Sequence, residues 1–270
     1  MPRSSNNRMT FETKKLIIET LESKGVDHVI GLISTGSGQE LPMDQFDVVC
    51  EIPYIDLHGL GDSSIPGHEG VLRIVDGPIG DWAIWTGRRH FYQGYTHDEI
   101  GLYIDVSTAL GAEELICLNA AGGLNPDMTV GQMVLIERYR CFTPLPGLRR
   151  EIDGGPWRET DGEIRARLER SAEEQALGVT SGAYAGVPGP TYETAAEVEW
   201  LRSLGCDVVG MSTVAELIRA AELGIRASAM SVVANVHGSG VKLTHDEVVK
   251  SSEAAVIKLG RIISKYIAQI

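Results

Sequence analysis

The stretch 110-LGAEELICLNAAGG-123 is the most informative in the chain, because it joins a predicted helix end to a predicted buried strand and to an exit made of small residues. The same order recurs in 204-LGCDVVGMST-213 and in 223-LGIRASAMSVVAN-235. Each Leu-Gly pair is typical of a helix that ends at a left-handed glycine cap, and each apolar run that follows predicts a strand. Ligands of open α/β sheets bind beyond the carboxyl ends of the strands, so we expect the three exits to meet at one ligand site.

Further strands and helices alternate along the chain. Strands are predicted over 27–34, 46–57, 71–76, 81–86 and 182–187, and helices over 11–24, 98–110 and 245–268. Capping boxes, in which a Thr is followed three residues later by Glu, predict helix starts at Thr194, Thr213 and Thr244. This alternation predicts an α/β fold with a mixed, mostly parallel central sheet flanked by helices, in a single domain over residues 1–270. Residues 1–9 are expected to form a flexible N-terminus and residues 140–170 a surface excursion.

The composition is that of a globular protein with a sizeable core, since 43% of the 270 residues are hydrophobic and 23% are charged. The net charge of −13 argues against non-specific binding to nucleic acid or to anionic membrane surfaces, although a locally positive pocket can still hold an anionic substrate. No apolar run approaches the roughly 18 residues of a membrane span. Residues 1–8 are polar, so we expect no secretory signal and a cytoplasmic location.

The four cysteines are scattered and form no C-x-x-C pair; they are Cys50, Cys117, Cys141 and Cys206. A disulfide framework or a zinc site is therefore not expected. Cys117 and Cys206 lie in or beside predicted strands and are interpreted as small buried hydrophobic residues.

The short turn Thr35-Gly36-Ser37-Gly38 follows the first predicted strand. Its backbone N–H groups and the Ser37 hydroxyl fit an anion-binding loop. An ordinary tight turn has the same composition, and for this motif alone that interpretation is favoured. The turn lacks the Gly-Lys-Ser/Thr ending of a Walker A loop and the spacing of a G-x-G-x-x-G fingerprint.

The segment 87–95 places two Arg, one His and two Tyr directly after a predicted strand. An Arg guanidinium matches phosphate oxygens, a His can add a donor, and a Tyr can bond a sugar hydroxyl while its ring stacks on an apolar face. A solvated basic loop with two anchoring aromatic rings explains the same residues equally well.

Polar residues also stand at the two later exits. Helix capping explains Thr213, so Ser212 remains as a candidate ligand residue at a helix N-terminus. Asn235 ends an apolar strand, where an amide without a partner would be costly. His237 and His245 flank a glycine-rich turn and are interpreted first as structural or solvent-facing residues.

In this order the motifs resemble those of the trimeric, low-molecular-mass purine nucleoside phosphorylases, the family that also contains methylthioadenosine phosphorylase. The resemblance extends from about Gly31 to the final helix. The motifs that carry it are Gly87-Arg88-x-His90-x-Tyr92-x-Gly94-Tyr95, Asn119-Ala120-Ala121-Gly122-Gly123, Pro188-Gly189-Pro190-x-x-Glu193-Thr194 and Gly210-Met211-Ser212-Thr213-Val214.

The resemblance implies a nucleoside phosphorylase-like fold and the reversible phosphorolysis of a purine nucleoside to the free base and ribose 1-phosphate. The residues implied for the phosphate are Ser37, His68, Arg88, His90, Ser212 and the backbone of Ala120. Those implied for the ribose are Tyr92, Met211 and His245, those for the base are Tyr192, Glu193 and Asn235, and those for catalysis are His90, Glu193 and Asn235. The family further implies a homotrimer with active sites near the subunit interfaces. It uses no metal or organic cofactor, with phosphate as co-substrate.

Base choice follows from the roles implied for two residues. The Glu193 carboxylate would accept a hydrogen bond from purine N1–H, which hypoxanthine and guanine carry but neutral adenine lacks, and the Asn235 amide would donate to N7. A site whose polar groups are left unpaired by the wrong base discriminates strongly. Inosine and guanosine are therefore expected to be preferred over adenosine.

The sequence departs from the family pattern in four places. Three are single residues, namely Arg89 where the animal enzymes have Phe, Gln93 where Glu is common, and Ala234 where Thr is usual. The fourth is the 140–160 region, which is shorter. In the family a Phe of this region reaches the ribose site of the neighbouring subunit, and the candidates here are Phe142 and Trp157.

Three other functions compete with this interpretation. A methylthioadenosine phosphorylase shares the fold and phosphate loop, but that branch places Asp where this chain has Asn235. A nucleosidase uses water in place of phosphate and would have little use for Ser37, Arg88 and His90. A non-catalytic nucleoside-binding protein would release no ribose 1-phosphate, whereas this chain keeps the residues that catalysis is expected to need.

Overall fold

The computed structural model describes residues 4–36, 41–60, 70–144, 154–238 and 245–269, with the backbone alone for residues 4–10 and 245–252. The helices are α1 (Ser4–Ser23), α2 (His97–Ile100), α3 (Leu102–Ala109), α4 (Gly162–Glu173), α5 (Ala195–Ser203), α6 (Val214–Leu223) and α7 (His245–Ile267). The strands are β1 (Gly31–Thr35), β2 (Val48–Pro53), β3 (Val71–Val75), β4 (Trp82–Thr86), β5 (Glu114–Gly123), β6 (Met133–Cys141), β7 (Arg158–Glu159), β8 (Thr180–Gly186), β9 (Val208–Gly210) and β10 (Arg226–Val236).

The strands form one mixed sheet in the order β10-β6-β8-β9-β5-β1-β4-β3-β2, with β7 paired to β6 outside this path. The strands β4, β1, β5 and β10 run parallel to one another, whereas β9 runs antiparallel to β5. Because β10 pairs with β5 as well as with β6, the path from β5 through β9, β8, β6 and β10 returns to β5. The predicted α/β fold with a mixed sheet flanked by helices is confirmed.

The strand β5 is central in the sheet, because it pairs with three other strands. One of its edges pairs with β10 from Glu114 to Gly123, and the other pairs first with β1 and then with β9. The sequence predicted that Asn119–Gly123 would lie beyond the strand, and this was wrong. Neighbours on both edges satisfy the backbone hydrogen bonds of these small residues, so the strand continues through them.

Both faces of the sheet are covered, as the uninterrupted apolar runs of its parallel strands indicate. Successive residues of a strand point to opposite faces, so Leu32 packs on the side of α1, α3 and α6, and Ile33 on the side of α4 and α7. The first cluster includes Ile17, Leu21, Ile104, Val106, Leu217 and Ile218, and the second includes Ile164, Leu168, Leu259, Ile262 and Ile263. No helix of the described residues has the length and apolar character that crossing a membrane requires.

Local signals in the sequence were correct at most helix ends. The glycines of the three Leu-Gly pairs have left-handed φ angles, of 104° at Gly111, 80° at Gly205 and 73° at Gly224. The capping box at Thr194 is present, with its hydroxyl accepting from the backbone of Glu197. The box predicted at Thr244 lies outside the described residues.

Several predicted segments differ from the structure. Helix α1 starts at Ser4 rather than near residue 11, and the strand predicted over 46–57 is limited to β2. The helix predicted over 98–110 is divided into α2 and α3 at Gly101, where Arg219 of α6 packs so closely that a Cβ would lie 2.6 Å from its Cγ. The region 140–170 is not only a surface excursion, because the buried side chains of α4 belong to the core.

Candidate active site

The carboxyl ends of β1, β4, β5 and β10 lie at one edge of the sheet and border a cavity of about 220 Å³. The cavity is lined by Gly36, His90, Asn119, Ala120, Ala121, Gly122, Tyr192, Glu193, Val209, Gly210, Met211, Ser212, Ala234 and Asn235. All three exits predicted to meet therefore do meet here. The exit after β9 arrives from the opposite direction, since this short antiparallel strand pairs with the last residues of β5.

Several residues implied for the site by the family resemblance are brought together in this cavity. They are His90, Ala120, Tyr192, Glu193, Met211, Ser212 and Asn235. Ser37 and His68 lie outside the described residues, and His245 is placed only by its backbone, at the start of α7. The remaining two, Arg88 and Tyr92, lie behind or beside the cavity wall.

Arg88 is buried behind the cavity and does not line it. Its guanidinium donates from Nη1 to Ser212 Oγ at 3.1 Å and from Nη2 to the backbone oxygens of Ser34, at 3.0 Å, and Leu118. Nε has no hydrogen-bond partner among the described residues, and it faces Gly36, whose added Cβ would lie 3.2 Å from it. One donor of this fixed cation is thus left without a partner in the described part of the chain, close to the start of the turn after β1.

Glu216 supplies the counter-charge for Arg88. Its Oε2 lies 3.0 Å from Arg88 Nη1, and each side chain is 1% exposed. Oε1 accepts hydrogen bonds from Ser34 Oγ and from the hydroxyl of Tyr103. The sequence predicted a capping box of Thr213 and Glu216, and this was wrong: Thr213 makes no side-chain cap, and the Glu216 carboxylate is paired with Arg88, whose buried charge would be costly to leave unpaired.

Thr213 has a backbone conformation that is rare for a β-branched residue, with φ of 71° and ψ of −51°. Such strain persists only where the surroundings hold the residue firmly. Thr213 Oγ1 accepts from Arg88 Nη1 and from Asn119 Nδ2, each at 3.0 Å, and so makes no cap on α6. The strained turn presents the preceding Ser212 to both Arg88 and the cavity.

Tyr184 also contacts the turn formed by Ser212 and Thr213. Its hydroxyl donates to the backbone oxygen of Ser212 at 3.3 Å, and burial raises the pKa of Tyr184 to about 12. The phenol therefore stays protonated at neutral pH and keeps its donor. The sequence marked neither Tyr184 nor Glu216 as part of the site, whereas Asn119 belonged to one of the exits predicted to meet there.

The ring of His90 stacks on the ring of Tyr92, with centroids 4.8 Å apart. His90 is also held by Gln93, whose side-chain oxygen lies 2.8 Å from the His90 backbone nitrogen and 3.3 Å from Nδ1. Tyr92 and Met211 both approach Gly189, where an added Cβ would lie 2.9 Å from Tyr92 Cδ1 and 2.5 Å from Met211 Sδ. These contacts place Tyr92 beside the cavity, next to the lining residue Met211.

Glu193, Asn235 and Tyr192 also line the cavity. The Glu193 side chain is 7% exposed, whereas Tyr192 is 77% exposed. His237, which the sequence suggested was structural or solvent-facing, has its Nε2 3.2 Å from Glu193 Oε2. It therefore belongs to the polar environment of the site.

Arg89 does not add its charge to the cavity. Its Nη2 donates to the backbone oxygens of Gly59 and Leu60, both at 2.8 Å, and the guanidinium lies 4.7 Å from the centre of the Tyr95 ring. The residue that departs from the family pattern at this position thus holds the segment that ends at Leu60.

Phe142 and Trp157 both contact residues of their own chain. Trp157 lies between the guanidinium groups of Arg138 and Arg140, 4.5 and 4.6 Å from its ring centre. Phe142 packs edge-on against Trp200, with ring centres 5.2 Å apart, in a second cavity of about 170 Å³ that shares Tyr192 and Glu193 with the first. Phe142 is the nearer of the two to the site.

The thiols of the two buried cysteines, Cys117 and Cys206, stay protonated. Burial raises the pKa of Cys117 to about 12 and that of Cys206 to about 11, so both thiols remain protonated at neutral pH. Across the part of the chain that the structure describes, His, Cys, Asp and Glu form no cluster suited to a metal ion.

Close packing behind the site depends on Gly186, the last residue of β8. A Cβ at this position would overlap Val214 Cγ2 at the start of α6 and lie 2.7 Å from Val214 Cβ. We expect Gly186→Ala to lower the free energy of unfolding by about 1–3 kcal/mol through overpacking. Urea denaturation measures this loss. The control Gly178→Ala, where an added Cβ meets nothing within 4 Å, is expected to change stability by no more than about 0.5 kcal/mol; equal effects of the two variants would contradict the prediction.

The chain is similar in sequence and in structure to known phosphorylases. The family model described as the phosphorylase superfamily matches residues 99–268. Purine nucleoside phosphorylase 1 of Bacillus subtilis is 33% identical over 252 residues, which cover 89% of this chain and 92% of that protein. The purine nucleoside phosphorylase of Mycobacterium tuberculosis is 35% identical over 222 residues, 81% of each protein. The solved structure of the Schistosoma mansoni purine nucleoside phosphorylase in complex with adenosine is similar, with a TM-score of 0.78 and 30% identity over 96% of this chain and 97% of that one.

Proposed function

Because the chain belongs to the phosphorylase superfamily and, within it, to the purine nucleoside phosphorylases, we propose that it cleaves inosine and guanosine in preference to adenosine. The enzyme catalyses the reversible phosphorolysis of purine nucleosides, a pentosyl transfer. A phosphate oxygen bonds to C1′ of the ribose as the C1′–N9 bond breaks, and the electron pair of that bond leaves with the purine. The products are the free base and ribose 1-phosphate.

The proposed phosphate site lies where the donors of β1, β4, β5 and β9 converge. The Ser212 hydroxyl, the His90 ring and the Ala120 backbone border the cavity there, and Ser37 and His68 are proposed to complete the site. Arg88 contributes from behind by fixing Ser212, and its Nε lies close to Gly36. Phosphate then serves as the nucleophile and as an anion beside the cationic sugar of the transition state, so fixed donors that hold it lower the barrier.

The proposed ribose site lies between the phosphate donors and the base residues. Tyr92 and Met211 meet at Gly189 beside the cavity, and burial raises the pKa of Tyr92, so the phenol keeps a proton to share with a sugar hydroxyl. His245 is proposed to face the 5′-hydroxyl. These contacts position C1′ above the phosphate, and orientation of this kind supplies a large part of enzymatic rate enhancement.

The proposed base site carries the choice of substrate, and the joint position of Glu193 and Asn235 in one cavity is the observation that supports it. Glu193 accepts from N1–H of hypoxanthine or guanine, and the Asn235 amide donates to N7, where negative charge accumulates as the base leaves. Adenine lacks the N1–H, so the buried carboxylate would lose its partner. Tyr192 packs on the face of the purine.

The remaining properties of the enzyme are proposed from the family. The reaction needs phosphate as a co-substrate and placed donors, and no metal or organic cofactor. A homotrimer with active sites near the subunit interfaces would bring an aromatic side chain, Phe142 or Trp157, toward a neighbouring ribose site. The chain is proposed to form a single domain and to act in the cytoplasm, without nucleic-acid or membrane partners.

One activity panel tests the proposal. Purified enzyme is assayed with inosine, guanosine, adenosine and methylthioadenosine, with and without phosphate, while free base and ribose 1-phosphate are measured. We expect phosphate-dependent release of both products, with kcat/KM for inosine and guanosine at least about 10²-fold above that for adenosine, because the wrong base leaves buried polar groups unpaired. Faster cleavage of adenosine or methylthioadenosine would overturn the base assignment, and base release without phosphate would indicate a nucleosidase.

A further inference from the structure

We infer that His237 is a specificity-determining residue, whose Nε2–H orients both Glu193 and Asn235 toward a 6-oxopurine. The inference rests on the base site proposed above. His237 Nε2 lies 3.2 Å from Glu193 Oε2 and 3.5 Å from Asn235 Nδ2. A single ring nitrogen therefore contacts both residues proposed to recognise the base.

The position of the His237 ring is fixed by its own backbone and by β5. The His237 N–H donates to the backbone oxygen of Gly123 at 2.9 Å, and its backbone oxygen accepts from Arg202 Nη2 at 2.6 Å. The ring packs against Gly122, where an added Cβ would lie 2.9 Å from Nε2. The His237 and Glu193 side chains are 15% and 7% exposed, so water competes little for their contact.

The carboxylate decides which nitrogen of His237 carries the proton. Two acceptors repel each other, so an approach of 3.2 Å between Nε2 and Glu193 Oε2 requires a hydrogen on Nε2. Nε2 then has no lone pair for the Asn235 NH₂ group. The two ends of an amide are similar in size, so the Asn235 side chain turns its oxygen toward Nε2–H and its NH₂ group toward the cavity.

This arrangement selects against a 6-amino base. The NH₂ group of Asn235 faces the purine as a donor, which suits the acceptors N7 and O6 of hypoxanthine or guanine. A 6-amino group also presents hydrogens, and two donors that face each other repel, which is a device for rejecting the wrong ligand. Glu193, held at Oε2, keeps its other oxygen for N1–H. Without a donor at position 237 the amide can turn its oxygen to the cavity and accept from a 6-amino group.

Two substitutions separate the donor from the bulk of the ring. His237→Leu keeps an apolar side chain on Gly122 but removes the donor, and His237→Gln keeps an N–H at a similar reach. We expect His237→Leu to lower the ratio of kcat/KM for inosine to that for adenosine by about tenfold or more, since the substitution removes a hydrogen bond to a charged group. His237→Gln is expected to stay within about threefold of the wild-type ratio, a change of less than about 1 kcal/mol. KM for phosphate is expected to stay constant in both variants.

Several outcomes overturn the inference. An unchanged ratio in His237→Leu does so, and so does an equal loss in both variants, which would assign the effect to ring packing. Calorimetric binding of hypoxanthine and adenine to the three proteins gives the same comparison without turnover, and thermal unfolding establishes that each variant is folded. A wild-type enzyme that did not prefer 6-oxopurines would overturn the proposed base preference. The role of His237 would still be tested, by the change in the ratio of hypoxanthine to adenine affinity between wild type and His237→Leu.

Discussion

Replacing Asn235 with alanine is expected to lower kcat for inosine by about 10²–10³-fold, the loss that follows removal of one fixed donor to a developing negative charge. Asn235 lines the cavity with Glu193, at the end of β10. Charge reaches the purine only as the glycosidic bond breaks, so the loss is expected in kcat rather than in KM for the nucleoside. Steady-state kinetics at saturating phosphate separate the two parameters.

A matched control comes from Asn125, which lies outside the cavity and accepts from the backbone of Asp127 at 2.9 Å. Asn125→Ala is expected to leave kcat unchanged. Asn235→Asp keeps the shape but replaces the donor by an acceptor, so it is expected to shift the inosine-to-adenosine ratio toward the 6-amino substrate. An unchanged ratio in Asn235→Asp, or a kcat in Asn235→Ala within about threefold of wild type, would refute the proposed role of the amide.

Replacing Glu216 with glutamine is expected to lower the free energy of unfolding by about 3–5 kcal/mol, because it strands the buried charge of Arg88. The two side chains are each 1% exposed and lie 3.0 Å apart. The amide oxygen introduced by Glu216→Gln could still accept from Ser34 and Tyr103, so the substitution isolates the loss of the negative charge. Urea denaturation monitored by circular dichroism measures the change.

An exposed pair at the same distance provides the control. Arg226 Nη1 lies 3.0 Å from Glu163 Oε2, and the Glu163 side chain is 82% exposed. Glu163→Gln is expected to cost less than about 1 kcal/mol, since water and salt screen such a pair. Similar losses in Glu216→Gln and Glu163→Gln would contradict the account of the buried pair.

The same pair changes how Arg88 is understood. The sequence resemblance placed it directly on the phosphate, whereas the structure commits Nη1 and Nη2 to Ser212, Thr213, Glu216 and two backbone oxygens. We therefore propose that Arg88 acts on the phosphate site mainly through the residues it fixes. Its Nε has no hydrogen-bond partner among the described residues and lies close to Gly36.

Glu216 and β5 both differ from what the local sequence predicts. Thr213 and Glu216 have the spacing of a capping box, and the same spacing at Thr194 and Glu197 does form one. The difference is Arg88, which is remote in sequence and becomes the partner of Glu216 only after folding. Small residues at 119–123 likewise indicated an exit, but strands on both edges keep them in β5.

Features that depend on neighbouring residues could be predicted from the sequence. Apolar runs of strand length and Leu-Gly helix ends were sufficient for the α/β class and for the convergence of three exits, and the resemblance of the ordered motifs to a known family implied many residues of the cavity. The pairing of polar groups was visible only in the folded chain: Arg88 with Glu216, Thr213 with Asn119, and His237 with Glu193. Backbone conformation is set over a few residues, whereas a buried charge or donor is satisfied by whichever group the fold brings within about 3 Å of it, at any separation along the chain.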